Sequence, residues 1–151
     1  MTRHLIRVVM SACALLVAAS AVQAQEQVTV VRRNGDAVSG RFEAWTRATG
    51  TVYIRVSQPD QRKLPMADLM LIDVGGNGQN LPAREREMAR GGDHVLVTRG
   101  GEVLRGTLVN IEGGQGSENE ADPRTVSFQA GGEHRFRMSE VARIYLGNFT
   151  R

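Results

Sequence analysis

The sequence predicts an all-β protein of two tandem five-stranded units, each a small barrel, joined by a linker with one short helix. Three observations predict it. A pattern around Asn34-Gly35 returns around Gly100-Gly101 at a constant offset of 66, so that Val31 matches Val97, Arg33 matches Arg99, Gly35 matches Gly101, Val38 matches Leu104, Gly40 matches Gly106 and Phe42 matches Leu108. Apolar residues alternate with polar ones within runs bounded by Gly, Asn and Asp, which is the period of a half-buried strand. Helical spacing with helical end signals is confined to one short stretch between the two copies.

The first unit occupies residues 25–76. Val28–Val31 leads into Asn34-Gly35-Asp36 and then Ala37–Trp45, and Asn-Gly between two β-prone runs predicts a hairpin with a type I′ turn. In the second strand Val38, Gly40, Phe42 and Ala44 share a face by strict alternation, which places Trp45 opposite Phe42. Gly40 sits in mid-strand, where glycine permits the sharp bend a small closed barrel needs. A third strand runs over Thr51–Val56, a fourth carries Leu64 and Met66, and a turn through Asp68-Leu69 introduces a fifth with Ile72 and Val74.

The linker, 77–92, contains Pro82–Arg90 as a helix, with Pro82 in the first turn, Glu85 and Glu87 early, and Gly91-Gly92 past the end. The second unit, 93–151, repeats the scheme: Val95–Val97, Gly100-Gly101, Glu102–Ile111 with Gly106 in mid-strand, Thr125–Ala130, a strand with Phe136 and Met138, and a last one with Ile144 and Leu146. It differs by an insertion, 113–123, rich in Gly, Ser and acids and therefore expected as a solvated surface loop. Units of about 50 residues support only a marginal core. Docking of the two units or oligomer formation is expected, using Trp45, Tyr53 and Leu71 of the first and Val103, Val109, Ile111 and Tyr145 of the second as outward apolar residues.

The order of strand, hairpin, bent strand and final pair resembles the Sm-like and SH3-like small β-barrels over residues 28–74 and 94–146. Val31-x-x-x-Gly35-x-x-x-x-Gly40-x-Phe42 and Val97-x-x-x-Gly101-x-x-x-x-Gly106-x-Leu108 carry the resemblance. It also implies a short helix before the first strand, a place Pro82–Arg90 fills for the second unit. The RNA-binding function of Sm-like proteins does not carry over, because the positions of their loop and last-strand signatures read Arg47-Ala48-Thr49-Gly50 and Leu69-Met70-Leu71-Ile72. The chain is also similar to exported bacterial tandem-repeat proteins.

Residues 1–24 read as a signal peptide, with Arg3, His4 and Arg7 ahead of the apolar Val8–Val22 and with Val22-Gln23-Ala24 at the cleavage position. The apolar run is shorter than the roughly 20 residues a membrane span needs. Met10-Ser11-Ala12-Cys13 loosely resembles a lipoprotein box, which would make Cys13 a lipidated N-terminus; cleavage after Ala24 is the expectation. A periplasmic or secreted protein follows, with Cys13 lost and a charge of 17 basic against 16 acidic residues, which removes the basic excess as an argument for nucleic acid.

The candidate interface is Trp45, Arg47 and Tyr53 with Arg41 and Arg55, which are expected to project outward on neighbouring strands beside Arg62 and Lys63. Aromatic and basic residues interleave there, as single-strand binders require. Export shifts the expected partner to a protein, self or another envelope component, or to a glycan. His94 and His134 lie beside Asp93 and Glu133, residue types that suit zinc or nickel, but their places at a strand start and a turn predict exposed polar residues. Glu118, Glu120 and Asp122 alternate like calcium ligands without the EF-hand order. No nucleophile elbow, zinc-binding helix or phosphate loop is present. The expectation is a non-catalytic binding or scaffolding module of the bacterial cell envelope with no cofactor and no metal site; the alternative, for a chain that stays in the cytoplasm, is Sm-like nucleic-acid binding.

Overall fold

The computed structural model describes residues 27–114, 116 and 122–151. The expected leader with Cys13, and positions 115 and 117–121 of the insertion, lie outside the described residues. The elements follow the expected order: β1 (Gln27–Arg32), β2 (Ala37–Thr46), β3 (Thr51–Arg55), β4 (Gln61–Pro65), β5 (Leu69–Val74), α1 (Ala83–Ala89), β6 (His94–Thr98), β7 (Val103–Glu112), β8 (Thr125–Gln129), β9 (Glu133–Arg137) and β10 (Val141–Tyr145). Short 3-10 turns, Met66–Asp68 and Met138–Glu140, introduce β5 and β10. Among the described residues no helix is long and apolar enough to cross a membrane.

The protein is all-β, and its ten strands form one antiparallel sheet that is not closed, in the order β4-β3-β2-β1-β5-β10-β6-β7-β8-β9. Each half thus repeats one arrangement, fifth strand beside first and then second, third and fourth. The halves meet through β5 and β10. There Ile72 faces Ile144, its own repeat counterpart, with Asp73 facing Arg143 and Leu71 facing Tyr145 on either side. The joint therefore has local two-fold symmetry.

One core serves both halves. Val30, Phe42, Val52, Ile54 and Ile72 of the first pack in a single cluster with Leu96, Leu108, Val126, Phe128 and Ile144 of the second. The opposite face of the central strands is covered by α1 and the segment after β10: Val31, Met70, Leu71, Val95, Val97 and Tyr145 pack with Ala89 and Phe149, and Leu81 and Met88 close the margin. This explains the unbroken apolar run Leu69–Ile72. Every residue of β5 is buried, as in a strand covered on both faces. Leu71 and Tyr145, expected outside, are the residues that α1 covers.

The two β-hairpins depart from the expected type I′ turn. Gly35 has φ +95° but Asn34 is not in the left-handed region. Arg32 N–H donates to Asp36 O at 2.7 Å and Gly35 N–H to Arg32 O at 2.9 Å, which closes a three-residue loop in which only the last position needs glycine. Thr98, Gly101 and Glu102 repeat the geometry in the second half.

The longer loop places Arg33 and Arg99 at matched first positions, and each ties its own half to the other. Arg33 donates to Ala67 O of its own 3-10 turn at 3.0 Å and to Leu146 O across the joint at 3.1 Å. Arg99 donates to Ser139 O and, across the joint, to Val74 O, both at 2.9 Å.

A second departure decides which residues face the core. In β2, Phe42 pairs with Ile54 but Ala44 pairs with Tyr53, so Glu43 is an extra residue, a β-bulge. The bulge reverses the alternation beyond it. Trp45 pairs with Val52, lies on the same face as Phe42 and packs against the common core, which corrects its expected place on the opposite side. The bulge recurs in β7 between Leu108 and Asn110, and turns Ile111 inward to 3% exposure where an outward residue was expected.

Candidate functional site

An internal repeat separates what a fold requires from what one copy has added. The bent-strand glycines, the bulge and the arginines at the joint occur in both halves. At the bulge itself the first half carries Glu43 where the second carries Val109, flanked by Arg41 against Thr107 and Trp45 against Ile111; on the next strand Arg55 stands against Gln129 and Tyr53 against Ser127. This one-copy set contains four of the five residues expected as an interface, Arg47 being the fifth.

The bulge places Glu43 beside Arg41 and Arg55. It is only 4% exposed, and its carboxylate is the centre of a network. Arg55 Nε donates to Oε1 at 2.8 Å and Nη2 to Oε2 at 3.3 Å, Arg41 Nη2 donates to Oε1 at 3.1 Å, and Gln61 Nε2 donates to Oε2. Arg55 also donates to Pro59 O. Burial, the largest influence on this carboxyl, opposes ionisation; the hydrogen bonds from Arg55, Gln61 and Arg41 and the Arg55 charge outweigh it and hold the group below the usual carboxylate range. Arg41 and Arg55 are thus not an outward cationic stripe, which corrects their expected place: they fold onto Glu43. Arg47, Arg62 and Lys63 remain solvent-facing.

The other half closes the site. Arg124, 5% exposed, donates from Nη1 to Glu43 O at 2.9 Å and sets its guanidinium 5.0 Å from the Phe42 ring centre. β7 runs alongside, and an open groove of about 490 Å³ lies between the halves, with Trp45, Arg47, Tyr53 and Gln61 on one wall and Asn110 and Glu112 on the other. Asn110 Nδ2 donates to Glu112 Oε2 at 3.1 Å, and Lys63 Nζ stands 5.9 Å from the Tyr53 ring centre. The Trp45 indole N–H is buried without a hydrogen-bond partner among the described residues. Trp45, Arg47 and Tyr53 all line the groove, Trp45 from the core face of β2 and not from the outward face expected; Gln61, Asn110 and Glu112 carried no signal there, since the last two come from the other repeat.

Comparison with family models, with curated proteins and with solved structures gives no match to this chain. The groove must be read from its own chemistry.

The remaining polar candidates do not converge. His94 is half-buried and its Nδ1 accepts from Leu108 N–H at 2.9 Å, which corrects its expected exposure. His134 lies on β9, with Nε2 3.1 Å from Ala130 O and its ring stacked on Phe136. Among the described residues no three His, Cys, Asp or Glu side chains lie close enough to hold a metal. A second buried network escaped the sequence reading. Glu85 of α1 accepts from Arg143 at 2.6 and 2.8 Å and from the Tyr145 hydroxyl at 2.8 Å. Burial first, and the hydrogen bond to Glu85 second, push the Tyr145 phenol far above its ordinary range.

Glu43 makes stability sensitive to acid in a definite direction. Its folded-state proton affinity lies below that of the unfolded chain, so the unfolded chain binds more protons as pH falls. The contribution is complete above the ordinary carboxyl range near 4.5 and is lost as pH drops through the lower folded value. Urea midpoints measured between about pH 5 and pH 3 should fall more steeply for wild type than for Glu43→Gln. Parallel curves would remove Glu43 as the source.

Proposed function

We propose that the protein is a non-catalytic binding or scaffolding module of the bacterial cell envelope, and that the groove between β2 and β7 takes a protein partner. One observation carries the reading: the aromatic and arginine set Trp45, Tyr53 and Arg47 lines an open groove in one copy of the repeat and has no equivalent in the other. Aromatic and arginine side chains dominate interface energetics when a partner excludes water from them. Arg41 and Arg55 fold onto Glu43, which offsets one of their two charges, and neither lines the groove; its own lining is of mixed sign, with Arg47 opposite Glu112, which suits a polar protein surface better than a polyphosphate.

Sm-like and SH3-like small barrels remain the proposed origin of each half. The shared strand order, the bulged second strand and the 3-10 turn before the last strand support this for both. Secretion after cleavage at Ala24 is part of the same proposal and rests on the leader pattern alone.

The test is site-specific photo-crosslinking in an envelope fraction. A crosslinker replacing Arg47 should give a discrete adduct that Tyr53→Ala abolishes, while one replacing Arg62, which lies on β4, is paired with Asp60 and is not part of the groove lining, should give none. Equal labelling at both positions, or none at either, would overturn the reading. Isolation of the protein solely from the cytoplasm with Met1 intact would do the same.

A further inference from the structure

β6 begins at His94, which faces Gly106 of β7. Leu108 lies two residues further along β7, past the end of its neighbour, where Gly91-Gly92-Asp93 offers no strand to pair with. A buried backbone N–H without a partner is costly. The Nδ1 of His94 occupies the place a strand carbonyl would have taken, and accepts from Leu108 N–H at 2.9 Å. In the first half β1 starts one residue earlier in the repeat, Gln27 facing Arg41, and the position matched to His94 is Val28. The histidine is another addition made by one copy.

The hydrogen bond fixes the ring's protonation state. With Nδ1 as acceptor the imidazole is neutral and its proton is on Nε2; a second proton on Nδ1 would set two donors against each other. Leu108 is the residue before the β7 bulge, and beyond that bulge Asn110 and Glu112 form the wall of the groove opposite Trp45. The charged groups that act on the ring are Arg33, which opposes protonation, and Asp93, which favours it.

We infer that His94 is a pH-responsive pin, whose protonation on acidification releases Leu108 and loosens the β7 wall of the groove. Burial, followed by the Arg33 charge, keeps the imidazole below its usual range near 6.5 despite Asp93. The neutral, pinned form therefore holds above that range and is lost as pH falls through the lower folded value. The regulatory meaning of the pin rests on the groove being the partner site; the pin itself does not.

Two probes in the intact protein test this. Protection of the Leu108 amide against hydrogen exchange, corrected for intrinsic rates, should fall about tenfold as pH drops from about 8 through the His94 midpoint, the change one ordinary hydrogen bond produces. Trp45 is the only tryptophan, so its emission reports the opposite wall and should shift over the same interval. His94→Asn places an amide oxygen where Nδ1 stood, keeps an acceptor that does not titrate, and should abolish both responses; His134→Gln should keep both. An NMR titration of His94 in wild type needs no variant and should show a midpoint below the usual imidazole range. Responses that persist in His94→Asn, a Leu108 response with a silent Trp45, or a His94 midpoint at or above 6.5 would each overturn the inference. The crosslinking of Arg47 at neutral pH is read separately, so loss of the pin and loss of the groove as a partner site are distinguishable.

Discussion

Gly106→Val is expected to destabilise the protein by about 3 kcal/mol or to prevent folding, the upper part of the range for overpacked sites. At Gly106 the backbone of β7 crosses so close to the end of β8 that an added Cβ would fall inside contact distance of the Gln129 carbonyl oxygen, with the carbonyl carbon at 2.9 Å and Ala130 Cα at 3.1 Å. These are backbone atoms of a paired strand and cannot rotate away. Gly40→Val meets the Arg55 carbonyl in the matched place, but one of its close neighbours is the Ile54 side chain at 2.9 Å, which has some freedom to move. Gly106 should therefore be the worse of the two. Urea unfolding of both variants measures the order. Unchanged midpoints for both would show that the strands do not approach as closely as described.

The second large effect is expected at Glu85. Replacing it with leucine removes the partner of both Arg143 and the Tyr145 hydroxyl, beneath a helix with few other ties. Arg143 is 24% exposed and the Glu85 side chain 11%, so water relieves part of the loss. A cost of about 3 kcal/mol is expected, the lower end for breaking a buried pair from one side. Glu85→Gln keeps an acceptor for one donor at a time and should cost less, about 1 to 2 kcal/mol. Loss of Glu85 should also raise hydrogen exchange at Phe149 and Asn148, whose N–H groups are tied to Ala89 O and Gly91 O at the end of α1. A Glu85→Leu protein with a wild-type midpoint would mean that α1 is held by its apolar contacts alone.

The features legible in the sequence were those with a local cause. The succession of strands along the chain, the mid-strand glycines and the position of α1 all follow from period, turn residues and the repeat; the joining of the two halves into one open sheet through β5 and β10 does not. The bulge at Glu43 was not legible, because Val38, Gly40, Phe42 and Ala44 alternate without a break and only pairing with β3 shows the extra residue. Its consequences for Trp45 and Ile111 were lost with it. Matched Arg33 and Arg99 were visible as a pattern, but their acceptors are main-chain carbonyls, which have no sequence signature. Glu85 and Arg143 lie 58 residues apart and on different elements, so no motif could join them. At the groove, residue types predicted Trp45, Arg47 and Tyr53 as neighbours, whereas the folding of Arg41 and Arg55 onto Glu43 depended on the bulge.

The pairing of Ile72 with Ile144 gives this chain the logic of a homodimer held on one thread. Like edges meeting about a two-fold axis form the closed contact by which separate identical subunits assemble. Here the 77–92 connection replaces encounter in solution with a fixed effective concentration, so unfolding should be independent of protein concentration where that of an untethered pair would not be. Tethering also relieves the two partners of the need to stay identical. One has kept an apolar residue at the bulge, while the other has placed a buried carboxylate there and set a groove beside it.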